Sequence, residues 1–238
     1  MTRDVVLVTR PEPDASTECA LLAERGVEAL AAPLTAIVPV EPRPDVPAEA
    51  EAVVFTSAHA VAAMTGSEAA RLPAHAVGRR TGDAAAAAGF SVVEPADYGS
   101  GDVAALARRL IAAPERRFLH PTGRQVAGDL SAMLATAGKT VERVVVYEAV
   151  ERPFADEPLA ALAQNRVRAI GFWSPRNAEL FAARAAEAGW SLDGTTAVAI
   201  SAAAAAPLAA SGFARIDRAA RPDGDAMRRA LCEAVGHG

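Results

Sequence analysis

The chain has 238 residues, with 24 Lys and Arg against 29 Asp and Glu, a net charge of −5. Hydrophobic residues make up 51% of it and aromatics only 5%, so it can bury one large core or two of roughly 100–120 residues each, built from Ala, Val and Leu. The acidic balance argues against a general nucleic-acid binder, no apolar run reaches the ~18 residues of a membrane span, and strand-like sequence starts too early for a signal peptide. A cytoplasmic protein with no nucleic-acid or membrane partner is expected.

Asp4 to Val8 is a short apolar run, read as a buried strand. Asp14 is placed to cap a helix running to about Arg25, and Gly26 suits its C-terminus. Strand-like sequence follows over 27–32 and 34–40. The run Glu41-Pro42-Arg43-Pro44-Asp45-Val46-Pro47 is a stiff linker, since prolines favour an extended chain. A block over 48–148 then predicts strands at 52–56, 74–78, 91–94, 117–120 and 140–146. Helices over 58–64, 80–88, 102–112 and 124–137 fill the gaps. Tyr98-Gly99-Ser100-Gly101 is a loop ending at Asp102 as a helix cap; it lacks the third glycine of a dinucleotide fingerprint. A second linker covers 149–152. The remainder predicts helices over 156–164, 175–188, 202–210 and 223–235, and strands at 169–173, 195–200 and 214–217. Cys19 and Cys232 lie far apart in predicted helices with no metal-type spacing, and read as buried thiols.

The middle block is written twice. VVFTSAHAVAAM and HAVGRRTGDAAAAAGF return as IGFWSPRNAELF and VAISAAAAAPLAASGF, aligning Phe55 with Phe172, Val77 with Ile200 and Gly89 with Gly212. Residues 118–150 likewise align with 6–38. The copies occur in different orders, so one domain is inserted into the other: 1–40 with 153–238 form a split domain and 48–148 an inserted one. Each counts five strands alternating with helices, which predicts two flavodoxin-like, doubly wound parallel α/β sheets.

In such sheets ligands sit at the carboxyl ends of the strands, near helix N-termini. Those positions hold Thr9 and Arg10; Ser57 and His59; Gly78, Arg79, Arg80 and Thr81; His120, Thr122 and Gly123; Trp173, Ser174 and Arg176; and Ser201. They are rich in hydroxyls and arginines and poor in carboxylates, a composition suited to a carboxylate-bearing ligand held in an electropositive cleft between the domains. The plainer alternative is that Ser57, Thr81 and Ser174 only cap helices.

The stretches VLVTRPEPDASTECALLAERGVEALAAPLTAIVP, VVFTSAHAV, AVGRRTGDAAAAAGF, GKTVERVVVYEAV and FWSPRNA resemble the uroporphyrinogen-III synthase family over nearly the whole chain. The resemblance implies two flavodoxin-like domains joined by a two-stranded linker, acting as a monomer without metal or organic cofactor. It implies closure of the linear tetrapyrrole polycarboxylate hydroxymethylbilane with inversion of its terminal ring. Tyr147 falls on the family's VY motif and is the implied general acid. Ser57, Thr81 and Ser174 match cleft hydroxyls, and Gly78 a glycine that lets backbone amides approach the substrate. Ser201, Ala204 and Trp173 depart from the family's pattern, as do His59 and Asp14. Two rivals therefore stay open: a non-catalytic tetrapyrrole-binding or regulatory module, and an enzyme acting on another polyanion.

Overall fold

A computed structural model describes residues 5–41, 44–95, 98, 102–125 and 128–236. The chain divides into two units, 1–36 with 150–238 and 37–149. In the first, strands β1 (Val5–Val8), β2 (Ala29–Ala31), β9 (Val167–Phe172), β10 (Thr196–Ala199) and β11 (Arg215–Arg218) form one sheet in the order β11-β10-β9-β1-β2, with every pair parallel. In the second, β4 (Ala52–Phe55), β5 (Pro73–Ala76), β6 (Ser91–Val92), β7 (Arg117–Gly123) and β8 (Thr140–Glu151) are also mutually parallel, in the order β8-β7-β4-β5-β6. Strand β3 (Thr35–Pro39) adds itself beside β8. The Val40 N–H donates to Val146 C=O and the Arg152 N–H to Leu34 C=O, so the two strands run antiparallel.

The two orders are the same order permuted. With β7, β8, β4, β5 and β6 set against β1, β2, β9, β10 and β11, each sheet reads 2-1-3-4-5. Equivalent bonds repeat as well: Val77 N–H donates to Phe55 C=O, and Ile200 N–H to Phe172 C=O. Gly89 and Gly212 both take positive φ, +88° and +75°, which glycine adopts without Cβ strain.

Apolar residues on both strand faces explain the layers. Val5 and Leu7 join one core with Phe172, Ala178, Phe181 and Ala161, whereas Val6 and Val8 join another with Leu22, Met227 and Leu231. The first core is closed by helices α6 (Asp156–Ala163) and α7 (Pro175–Ala188), the second by α1 (Asp14–Ala23) and α9 (Gly224–Ala234). The second unit repeats the scheme. Val53 and Phe55 pack with Val61, Met64 and Ala85 from α2 (Ala58–Met64) and α3 (Arg79–Ala87). Ala52 and Val54 pack with Leu106, Leu110, Leu130 and Leu134 from α4 (Val103–Ala112) and α5 (Leu130–Ala135). A four-residue helix, α8 (Ala202–Ala205), follows β10.

The ends of several elements differ from expectation. Asp14 is the first residue of α1 rather than its cap, because its carboxylate is bonded to Arg10. Strand β7 runs on through Pro121, Thr122 and Gly123, where the sequence predicts a loop. Helix α5 begins only after Asp129, whose carboxylate takes the Ala132 N–H at 3.0 Å; Val126 and Ala127 of the longer predicted helix lie outside the described residues. Strand β8 continues five residues past Val146, to Glu151, which makes Tyr147 an interior strand residue. The units change over at 36/37 and 149/150, within or beside these strands. The run 41–47, predicted as a linker, falls inside the second unit by that division, with Pro42 and Arg43 outside the described residues, as are Asp4 and Gly99 to Gly101. No helix among the described residues is long and apolar enough to cross a membrane.

Candidate functional site

Parallel pairing in the second unit brings the carboxyl ends of β4, β5, β7 and β8 to one edge. Ser57, two residues after β4, caps α2: the His59 N–H donates to Ser57 Oγ at 3.1 Å. The His59 ring meets Tyr147 edge-on, with centroids 5.8 Å apart. Tyr147 is paired with Gly123 across an irregularity in the β7–β8 ladder. A Cβ on Gly123 would stand 2.8 Å from Cε2 and Cζ of Tyr147 and 3.1 Å from its hydroxyl. Gly123 is thus the space the phenol ring occupies. Around it the backbone is clamped. Arg143 Nη2 donates to the carbonyls of Gly123, at 3.1 Å, and Arg124, at 2.7 Å, and the Arg124 N–H donates to Tyr147 C=O at 3.0 Å.

Beside Tyr147 lies a cavity of about 150 Å³ lined by Thr56, Ser57, Val103, His120, Thr122, Gln125, Gly128, Leu130 and Tyr147. His120 is 6% exposed and its Nε2 is 3.0 Å from Thr56 Oγ1. Burial first, and the Arg143 charge second, pull its pKa from the usual 6.5 down to about 4. The imidazole is therefore neutral at physiological pH.

The start of α3 forms a second patch. Gly78 is its N-cap in an extended conformation, φ −159°, that any residue adopts, so the glycine is not there for backbone strain. Thr81 is buried in the first helical turn and does not cap it. Arg79 and Arg80 are both exposed. The Arg79 guanidinium lies 5.6 Å from the Tyr98 ring centroid, and Arg109 5.3 Å from the same ring. Arg109 also donates to the Ala76 carbonyl at 2.7 Å, tying α4 to the end of β5.

In the first unit, Asn177 Nδ2 donates to Thr9 C=O at 2.8 Å and Thr9 Oγ1 to Gly171 C=O at 2.6 Å, joining α7, β1 and β9. Ser174 caps α7 through the Asn177 N–H at 3.2 Å, and Ser201 caps α8 through the Ala204 N–H at 3.3 Å. Arg10 is bonded to Asp14, sits 3.9 Å from Glu18, and lies over the Trp173 ring. Glu18 is shared with Arg228, which also holds Asp225. The Arg10 guanidinium is thus already engaged by two carboxylates and a ring. Trp173 folds back on Gly171, where a Cβ would stand 2.5 Å from Cζ3, and packs with the core of Leu231 and Met227. Arg176 lies in the first turn of α7.

A family model described as HEM4, uroporphyrinogen-III synthase HemD, matches residues 17–228. The chain belongs to the uroporphyrinogen-III synthase family. Two solved structures share the fold. That of a uroporphyrinogen-III synthetase from Helicobacter pylori is 19% identical, with TM-score 0.64, over 97% of this chain and 99% of that one. That of a mutant uroporphyrinogen III synthase from Thermus thermophilus is 18% identical, with TM-score 0.52, over 99% and 100%. A comparison with curated proteins returns no match. Of the positions the sequence marks as unusual, Trp173 holds a ring packed on its own strand and Ser201 a helix cap.

The sequence alone places His120 and Thr56 at strand ends without giving either a role, and it does not single out Tyr98, Arg109 or Arg143. His120 carries a signal: with Thr122 it is one of two polar residues in the buried run Phe118 to Thr122. The guanidinium of Arg143 reaches backbone carbonyls 19 and 20 residues away in sequence, which no local pattern announces.

Proposed function

We propose that this chain is a uroporphyrinogen-III synthase, a cyclising hydro-lyase that closes hydroxymethylbilane with inversion of its terminal ring. The family match over residues 17–228 carries the reading, and the second unit supplies suitable groups. Each unit reads as a flavodoxin-like sheet, supported by the 2-1-3-4-5 strand order and helices on both faces. A monomer acting in the cytoplasm on this one tetrapyrrole completes the reading.

Tyr147 is the general acid. Its ring is fixed by Gly123 and by the edge of His59, and among the described residues no hydrogen bond engages its hydroxyl. It protonates the leaving hydroxyl. The terminal ring then attacks through its substituted carbon, passes through a spiro intermediate and recloses inverted. Holding the chain for that attack is mostly orientation, which is worth more than proton transfer in such reactions. Arg79 and Arg80, at the start of α3, are suited to the substrate's carboxylates, and the free N–H groups of that helix add to them. Ser57, Thr81, Thr122, Ser174, Arg176 and Ser201 contribute polar contacts, and Arg10 does so once released from Asp14.

The test is the isomer formed from hydroxymethylbilane, which closes unaided to type I. Purified protein should divert product to type III in proportion to its concentration. Binding of a linear tetrapyrrole with no diversion of product would favour the non-catalytic module.

A further inference from the structure

The cavity next to Tyr147 has a composition of its own. Among the described residues no Arg, Lys, Asp or Glu lines it. Its polar wall is made of hydroxyls, one amide and an imidazole that burial keeps uncharged. A carboxylate entering it would lose its water and meet no cation. A hydroxyl or a water, about 30 Å³ in the liquid, would fit with room and find several partners. Thr122 is 2% exposed, and among the described residues no hydrogen bond engages its hydroxyl. His120 is held at a fixed place by Thr56.

We infer that this cavity receives the hydroxyl of hydroxymethylbilane as it leaves as water, and that His120, held by Thr56, is the positioning residue that orients it toward Tyr147. The inference rests on the synthase reading. The carbon–oxygen bond breaks with both electrons going to oxygen. Oxygen takes the Tyr147 proton and remains in the cavity as water, leaving an azafulvenium cation. The proton released when the terminal ring closes returns to the Tyr147 phenolate. One water is lost, and neither oxidant nor reductant is needed. A charged histidine would repel the developing cation; a neutral one holds the oxygen without that cost. The substrate's acidic side chains stay outside this pocket.

Two variants and two ligands test it. His120→Phe fills the cavity with carbon, and His120→Asn restores a hydrogen-bonding group. With hydroxymethylbilane, His120→Phe should lower kcat by about tenfold or more, the scale of lost assistance to proton transfer, with KM within about twofold, and His120→Asn should recover most of the loss. Both variants should bind methylbilane, which has a methyl where the substrate has its hydroxymethyl, as tightly as the wild type. An unchanged kcat in His120→Phe, or an equal loss of affinity for methylbilane, would overturn the inference. Should His120→Phe not fold, Thr56→Val, which removes the group that holds the imidazole, takes its place, with the same expected losses and the same contrary results. Wild-type product is measured alongside. Type III from the wild type with unaffected variants sinks the cavity alone, whereas no type III from the wild type sinks the synthase reading and the cavity with it.

Discussion

Gly123 has no side chain because the Tyr147 ring takes its place. A methyl there would meet Cε2 and Cζ at 2.8 Å, well inside contact distance, and the ring must move. Gly123→Ala should therefore cost turnover by roughly the 10²–10⁴ of a misplaced general acid. Tyr147→Phe should fall in the same range without unfolding. In a Tyr147→Ala background, where no ring remains to displace, Gly123→Ala should cost little more. Additive losses in that cycle would show that Gly123 acts by itself, on the substrate.

His120 makes a prediction about pH. Its folded pKa lies below its unfolded one, about 4 against 6.5, so below pH 6.5 the unfolded chain binds a proton that the folded chain refuses. The contribution is intact above pH 6.5 and is lost as pH falls from there to 4, reaching roughly 3 kcal/mol. Denaturant unfolding at pH 7 and pH 4 should show the wild type losing about that much more than His120→Asn; equal losses would mean that the imidazole titrates normally. His75 is shifted in the same direction by burial and stays in both proteins, so the difference isolates His120. At Cys19, burial and then the Glu12 and Glu18 charges raise the pKa to about 12. Its thiolate fraction at pH 8 is on the order of 10⁻⁴, so alkylation of the folded protein there should be slow and should speed up on unfolding.

At the scale of elements, α3 is locked by a residue far from it in pattern. Tyr98 lies between Arg79 and Arg109, donates to Glu94 at 3.2 Å, and presses its hydroxyl onto Gly82. A methyl on Gly82 would stand 2.4 Å from that hydroxyl and 3.3 Å from Cζ. Gly82→Ala should thus destabilise by about 1–3 kcal/mol through overpacking, despite the ~1 kcal/mol that alanine offers a helix. In a Tyr98→Ala background no ring remains to meet the methyl, and the same change should be neutral or stabilising. A loss of equal size in both backgrounds would point to the helix rather than to the tyrosine.

The elements that local chemistry governs are legible in the sequence. Asp102 caps α4 through the Ala105 N–H at 2.7 Å, and α7 begins on Ser174-Pro175 and ends before a left-handed Gly189, all signals carried by neighbouring residues. Where distant partners decide, local pattern falls short. Proline argues against an inner strand, yet β7 runs through Pro121: its pairing to β4 stops at Leu119, and its pairing to β8 carries it on to Gly123. Asp14 has the right chemistry to cap α1 and is taken by Arg10 instead. In the candidate site, Tyr147 is visible through its motif. Its support is not: no local pattern shows that the ring stands against Gly123, and a lone histidine such as His120 has no spacing to read.

Over the whole molecule, the repeat is the most informative feature of the sequence. Two copies in different chain order leave an inserted domain as the simplest arrangement, and both sheets carry the same permuted order of strands. Such large agreement comes from the two-faced apolar strands, whose pattern survives even where loops diverge. Function is harder to read at this scale, since a fold is shared by many activities. For the chain as a whole, the proposal is that it turns hydroxymethylbilane over. The most direct measurement incubates hydroxymethylbilane with increasing amounts of the wild-type protein and separates the product isomers. A rising share of type III, formed at a rate proportional to protein, is the predicted result; product that remains type I at every concentration of folded protein would contradict it.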